Sequence, residues 1–191
     1  NLSAKKESEI KIATYNLRYY NQKDGINSWE NRRDQVNALI RFHGFDIFGT
    51  QEAEINQLQD MSVLKEYSRI GKGRDDGKEA GEHSAIFYRT DCFQLLQSGD
   101  FWLSETPERP SLGWDSSNNI RICSWGKFKD KITKKVFFFF NAHFDHRGID
   151  ARKQSARLML KKINEIAGNL PVICTGDFNS TPETEQIQTM K

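Results

Sequence analysis

KVFFFFNAHFD, from Lys135 to Asp145, decides how the rest of the chain is read. Its apolar run has no polar face, the pattern of a strand covered on both sides, and it then gives way to Asn141, His143 and Asp145. LPVICTGDFNS, from Leu170 to Ser180, repeats the theme and delivers Asp177 and Asn179. Between the two, Asp150 is placed to cap a helix whose Ala156, Leu160, Ile163 and Ala167 fall at helical spacing before Gly168 closes it.

The same signature recurs upstream. IKIATYNL (Ile10 to Leu17) runs as a strand into polar residues at Asn16, and DIFGTQE (Asp46 to Glu52) presents Gln51 and Glu52 at its C-terminal end. That end of a strand is where α/β folds keep their ligands. Ser28 is placed to cap a helix with Trp29, Val36, Leu39 and Ile40 on one stripe. Further strands are expected at SAIFYR, at FQLLQS from Phe93 and at RICSWGKF from Arg121. GKGRDDGKEAGEH, Gly71 to His83, reads as a mobile solvated loop, and the stretch holding Pro107 and Pro110 as a second long one.

With 191 residues, 37% of them hydrophobic, the chain can bury one substantial core. The expected organisation is a flexible lead-in over residues 1–9 and one domain over 10–191. A net charge of +2 sets up no strong field toward a polyanion. Cys92, Cys123 and Cys174 lack metal-binding spacing and read as buried thiols. No apolar run reaches the length of a membrane span, and the polar start NLSAKKESE suits a stub left after removal of an export signal. A monomer is expected.

Four polar strand ends converging on one cleft would supply the parts for phosphate ester hydrolysis: a cation, an oriented water and groups for the developing charge. Glu52 and Asn16 offer hard oxygens of the kind that suit Mg²⁺ or Mn²⁺. Asp177 is the candidate to orient or deprotonate water, with Asn179 beside it, and His143 to carry a proton or hold a phosphoryl oxygen. Arg121 and Arg152 are candidates for phosphate contacts, and His83 and Asp145 for lining the substrate site. Asp145 and His146 have a second reading, as shapers of the loop before Gly148.

ATYNLRY, GTQE, FYR, FWLSETPERP, NAHFDHRG and GDFNSTP together resemble the successive signatures of the endonuclease/exonuclease/phosphatase superfamily, over about Ile10 to Pro182. The resemblance implies a four-layer α/β/β/α sandwich of the DNase I type, and is strongest to bacterial, often exported members. By the same likeness Asn16 and Glu52 belong to the metal site, His143 touches the scissile phosphate, and Asp177 with Asn179 activates water. Family members carry a further stretch after GDFN with additional strands and a late catalytic histidine, so the domain is expected to be incomplete at its C-terminus. The implied substrates span nucleic acids and sugar or lipid phosphates. The absence of a basic stripe speaks against tight duplex binding. A phosphoester-binding domain without turnover is the alternative.

Overall fold

The computed structural model describes residues 9–191, so the lead-in expected over 1–9 lies, apart from Glu9, outside the described residues. Strands β1 (Ile12–Asn16), β2 (Ile47–Gln51), β4 (Ile86–Arg89) and β3 (Tyr67–Ile70) form one sheet in that order. Strands β5 (Phe93–Trp102), β6 (Ile122–Asp130), β7 (Val136–His143) and β8 (Val172–Asp177) form the other. Helices α1 (Trp29–His43) and α2 (Ile55–Asp60) belong to the first half, α3 (Ile149–Ala167) and α4 (Glu185–Thr189) to the second.

Strand alternation sorts the apolar side chains into three clusters, one for each gap in an α/β/β/α sandwich. Phe48 and Phe87 pack with Trp29, Val36 and Ile40 of α1. Phe138 and Phe140 pack with Ala156 and Met159 of α3. Phe137 and Phe139, the alternate residues of β7, meet Ile47, Ile86 and Phe128 between the sheets. The run of four phenylalanines is therefore split two and two across the faces of one strand, which is why it shows no polar side.

The helices depart from the expected detail. Ser28 is the N-cap of α1 but makes no side-chain capping bond, and Leu39 is exposed while Asn37 is buried. Gly148, not Asp150, is the N-cap of α3; Asp115 from the long loop accepts the amides of Asp150 and Ala151 and does the capping in its place. No helix among the described residues is long and apolar enough to cross a membrane.

Where the sheets approach under their strand ends, the filler is polar. Asn141 of β7 donates to the carbonyls of Thr50 and Ala85 at 2.8 and 3.0 Å, and its oxygen accepts from Gln51 Nε2 and Thr175 Oγ1 at 2.8 and 3.1 Å. Gly49 leaves the room for this: a Cβ there would stand 2.3 Å from Asn141 Oδ1 and 2.6 Å from Thr175 Oγ1. Gly49→Ala is expected to lower stability by about 1–3 kcal/mol through overpacking of a site with no slack. Urea denaturation measures this, and an unchanged midpoint would contradict the tight fit.

Candidate active site

Each of four strands ends at one cleft. Asn16 closes β1, Glu52 follows β2, His143 closes β7 and Asp177 closes β8. Parallel pairing sets Asn16 beside Gln51 and His143 beside Asp177, so the register itself aligns the ends. Asn16 Nδ2 donates to Glu52 Oε1 at 2.9 Å and to Asp177 Oδ2 at 3.0 Å, joining the two sheets across the cleft floor. The amide's orientation is fixed because its oxygen accepts the Arg18 N–H at 2.9 Å. Asn16 thus faces the carboxylates with its nitrogen.

Glu52, Arg18 and Asn179 adopt positive φ, at 62°, 61° and 46°. A left-handed backbone costs a residue with a Cβ roughly 1–2 kcal/mol, and such strain gathers where side chains must be aimed. At Glu52 the outcome is a carboxylate turned into the cleft, its second oxygen accepting the Tyr19 N–H at 3.1 Å. At Asn179 the amide donates to Phe144 O at 3.0 Å while the backbone N–H reaches Asp177 Oδ1 at 3.0 Å.

His143 is 8% exposed, with Nε2 3.9 Å from Asp177 Oδ2 and Nδ1 3.7 Å from Glu82 Oε2. Its Nδ1 has no hydrogen-bond partner among the described residues. Burial pushes the Glu82 carboxyl up, but His143, Arg74 and Arg121 outweigh it and the net direction is down. Burial also pushes Asp177 up, and Asn16, the Asn179 N–H, His143 and Arg121 together bring it below the usual range. Both are carboxylates at neutral pH.

Glu82 was not foreseen. It lies in the glycine-rich segment read as a mobile loop, which the structure instead folds against the site: Arg74 binds Glu82 at 2.6 Å, and Gly73 and Ala53 bridge to His83. Trp102 anchors the same segment by donating to Arg74 O at 2.7 Å.

Among the residues proposed to meet substrate, Arg121 lines the cleft although it is 6% exposed, and its Nε lacks a partner among the described residues. His83 does not reach the cleft. It is 2% exposed, with Nδ1 3.2 Å from Ala53 O, because the bridge to Ala53 turns it inward. Arg152 is likewise turned aside, donating to Asp145 O at 3.2 Å. Asp145 is buried beneath the loop it was alternatively expected to shape: it accepts the N–H of Arg147 and Gly148 at 2.8 and 2.7 Å and the Ser117 hydroxyl at 2.9 Å.

No group of three or more His, Cys, Asp or Glu side chains able to hold a metal occurs among the described residues. The donors that do converge, Glu52 with Asp177 on either side of Asn16, are hard oxygens. They fit Mg²⁺, which takes one or two carboxylates and keeps most of its waters, and they do not fit a softer ion needing a nitrogen and sulfur cage.

Residues 13–191 match the Endonuclease/Exonuclease/phosphatase family, and with this fold and these strand ends the chain belongs to that family. An endonuclease/exonuclease/phosphatase from Bacteroides vulgatus has the same structure at a TM-score of 0.93 and 47% identity, over 96% of this chain and 70% of that one. A mannosyl-6-phosphatase from Bacteroides thetaiotaomicron gives a TM-score of 0.92 at 49% identity, over 95% of this chain and 70% of its own. Among curated proteins, an uncharacterized protein of Acanthamoeba polyphaga mimivirus is 29% identical over 174 residues, 85% of this chain but 63% of that relative.

The loop under the cleft carries a pH signature. Burial pushes Asp145 up, yet the Gly148 and Arg147 amides and Ser117 hold its pKa at about 2, against about 3.9 for a free aspartate. A depressed carboxyl stabilises the fold above its unfolded pKa and loses that contribution as pH falls through the folded one. Asp145→Asn should cost on the order of 1–2 kcal/mol at pH 7 and flatten the decline in stability between about pH 4 and 2. Urea melts across that window decide it; parallel curves for both proteins would refute the assignment.

Proposed function

We propose that this chain carries much of the active site of a divalent-cation-dependent phosphoester hydrolase whose substrate is a phosphorylated sugar. The observation that carries the reading is the convergence of Asn16, Glu52, His143 and Asp177 from four strands of two sheets on one cleft of about 620 Å³. Glu52, oriented by Asn16 and the Tyr19 amide, would hold the cation, which when bound supplies positive charge against the phosphoryl oxygens.

Asp177 accepts a proton from the attacking water, and its depressed pKa keeps it ionised for that task. Asn179 N–H holds the other Asp177 oxygen and so fixes the carboxylate plane. His143, beside Asp177, hydrogen-bonds a non-bridging oxygen as phosphorus becomes five-coordinate. Arg121, its Nε turned back toward Asp145, lines the same wall with its guanidinium. As water oxygen bonds to phosphorus, the bond to the alcohol breaks and its electron pair leaves on the alcohol oxygen.

Two features support a sugar over a nucleic acid, in line with the phosphatase relative. The net charge is only +2, too little for tight backbone tracking. The cleft's tyrosine, Tyr19, has a ring face covered by the Arg18 guanidinium at 4.2 Å, which takes up a surface on which a base would stack.

The intact protein is expected to release phosphate from mannose 6-phosphate with Mg²⁺ or Mn²⁺, to stop on chelation with EDTA and to recover on readdition. Asp177→Ala should lower kcat by about 10²–10⁴, and Glu52→Gln should raise the Mg²⁺ concentration needed for half-maximal rate. Tight binding of phosphoesters without turnover would replace this reading with a non-catalytic binding domain.

A further inference from the structure

His146 has no part in the chemistry above, yet it opens onto the same cleft and its ring is exposed. Its Nδ1 lies 3.1 Å from Arg121 Nη2 and 3.4 Å from Ser117 Oγ. A guanidinium can only donate, so Nδ1 is the acceptor and the proton of the neutral ring sits on Nε2. Arg121 cannot move to release the ring, because it is buried with Nε 3.7 Å from Asp145 Oδ2, and Asp145 is itself held by Arg147, Gly148 and Ser117. The tautomer and tilt of His146 are therefore set from behind. Its Nε2–H, on the far edge of the ring, makes no hydrogen bond among the described residues.

The position of this donor relative to the reacting groups gives it a role. Asp177 and His143 sit at strand ends on the cleft floor, and His146 lies three residues past His143 on the loop that follows β7. Because His146 lines the same cleft as His143 and Asp177, the alcohol portion of a substrate whose phosphoryl group lies at the floor can extend past this loop. Glu54, whose carboxyl is pushed up by burial and by Glu82, lines the same cleft. A fixed N–H donor and a carboxyl acceptor in one cleft suit an alcohol that carries further hydroxyls and offer little to an apolar one.

We propose that His146 is a specificity-determining residue whose Nε2–H holds a hydroxyl or ring oxygen of the leaving sugar. The proposal rests on the phosphatase reading above. It is tested by comparing the intact protein with His146→Ala and His146→Gln on mannose 6-phosphate and on phenyl phosphate, whose alcohol has no further hydroxyl. In His146→Ala the ratio of kcat/KM for the sugar phosphate to that for phenyl phosphate should fall about tenfold, the worth of one neutral hydrogen bond, with the change in KM. His146→Gln, which keeps an N–H near the Nε2 position, should recover most of that ratio. Nitrogen-15 NMR of the neutral His146 ring should show Nε2 protonated and Nδ1 bare.

An unchanged ratio, with both substrates affected equally or neither affected, would overturn the role of His146 while leaving the hydrolase standing. A protonated Nδ1 would overturn it as well. A wild-type protein that cleaves neither monoester would remove the phosphatase reading itself, and this inference with it.

Discussion

Asn141 is sealed between two sheets, where an unpaired amide would cost on the order of 1–3 kcal/mol for each group left unmet. Both of its N–H groups and both lone pairs are taken, the donors by carbonyls of the first sheet and the acceptor by Gln51 and Thr175 from opposite sides. A fully satisfied polar bridge of this kind has one geometry, whereas a greasy contact between sheets tolerates sliding. Because Asn141 is two residues before His143, and Gln51 adjoins Glu52, the bridge fixes the level at which the strands end. The cleft inherits its alignment from that buried amide.

Above this floor the protein accepts strain to aim its side chains. Arg18, Glu52 and Asn179 stand in left-handed backbone around one cavity. Such conformations survive where surrounding bonds over-determine them, and each has such bonds: Arg18 N–H to Asn16, Glu52 to Tyr19 N–H, and Asn179 to Phe144 O. The carboxylates that result are close enough to repel each other, and Asn16 relieves this by placing its amide nitrogen between Glu52 and Asp177. A cation would relieve it further, which links the electrostatics of the cleft to the chemistry proposed for it.

The two Bacteroides structures share this fold at nearly half identity and extend beyond it, since this chain covers 70% of each. Family membership gives the architecture, and the reaction is the one proposed above. The choice of alcohol falls to the loops around the cleft, and here those loops are tied down: Asp145 locks the turn after β7, and Arg74 with Trp102 locks the glycine-rich segment. Specificity built on fixed loops favours a rigid donor, as proposed for His146, over an adaptable one.

Periodicity marked the buried strands and the polar residues that close them, while the four-layer sandwich followed from the family resemblance. The unbroken apolar run at 136–140 can only be a covered strand, and a polar residue closing such a strand sits where solvent begins, so Asn16, Glu52, His143 and Asp177 were legible from order alone. The short edge strand Tyr67–Ile70 escaped because none of its four residues is fully buried and its apolar signal is weak. Glu82 escaped because glycine and mixed charge mark solvent loops in general, and only the bridge from Gly73 and Ala53 to His83 folds this one inward. His143 stood out in the linear order because it closes a covered strand, but nothing there separates Arg121 from Arg152 or shows that His83 turns inward. Which arginine faces the cleft, and where His83 points, are decided by pairing register and by partners distant in sequence, and those exist only once the two sheets have closed on Asn141.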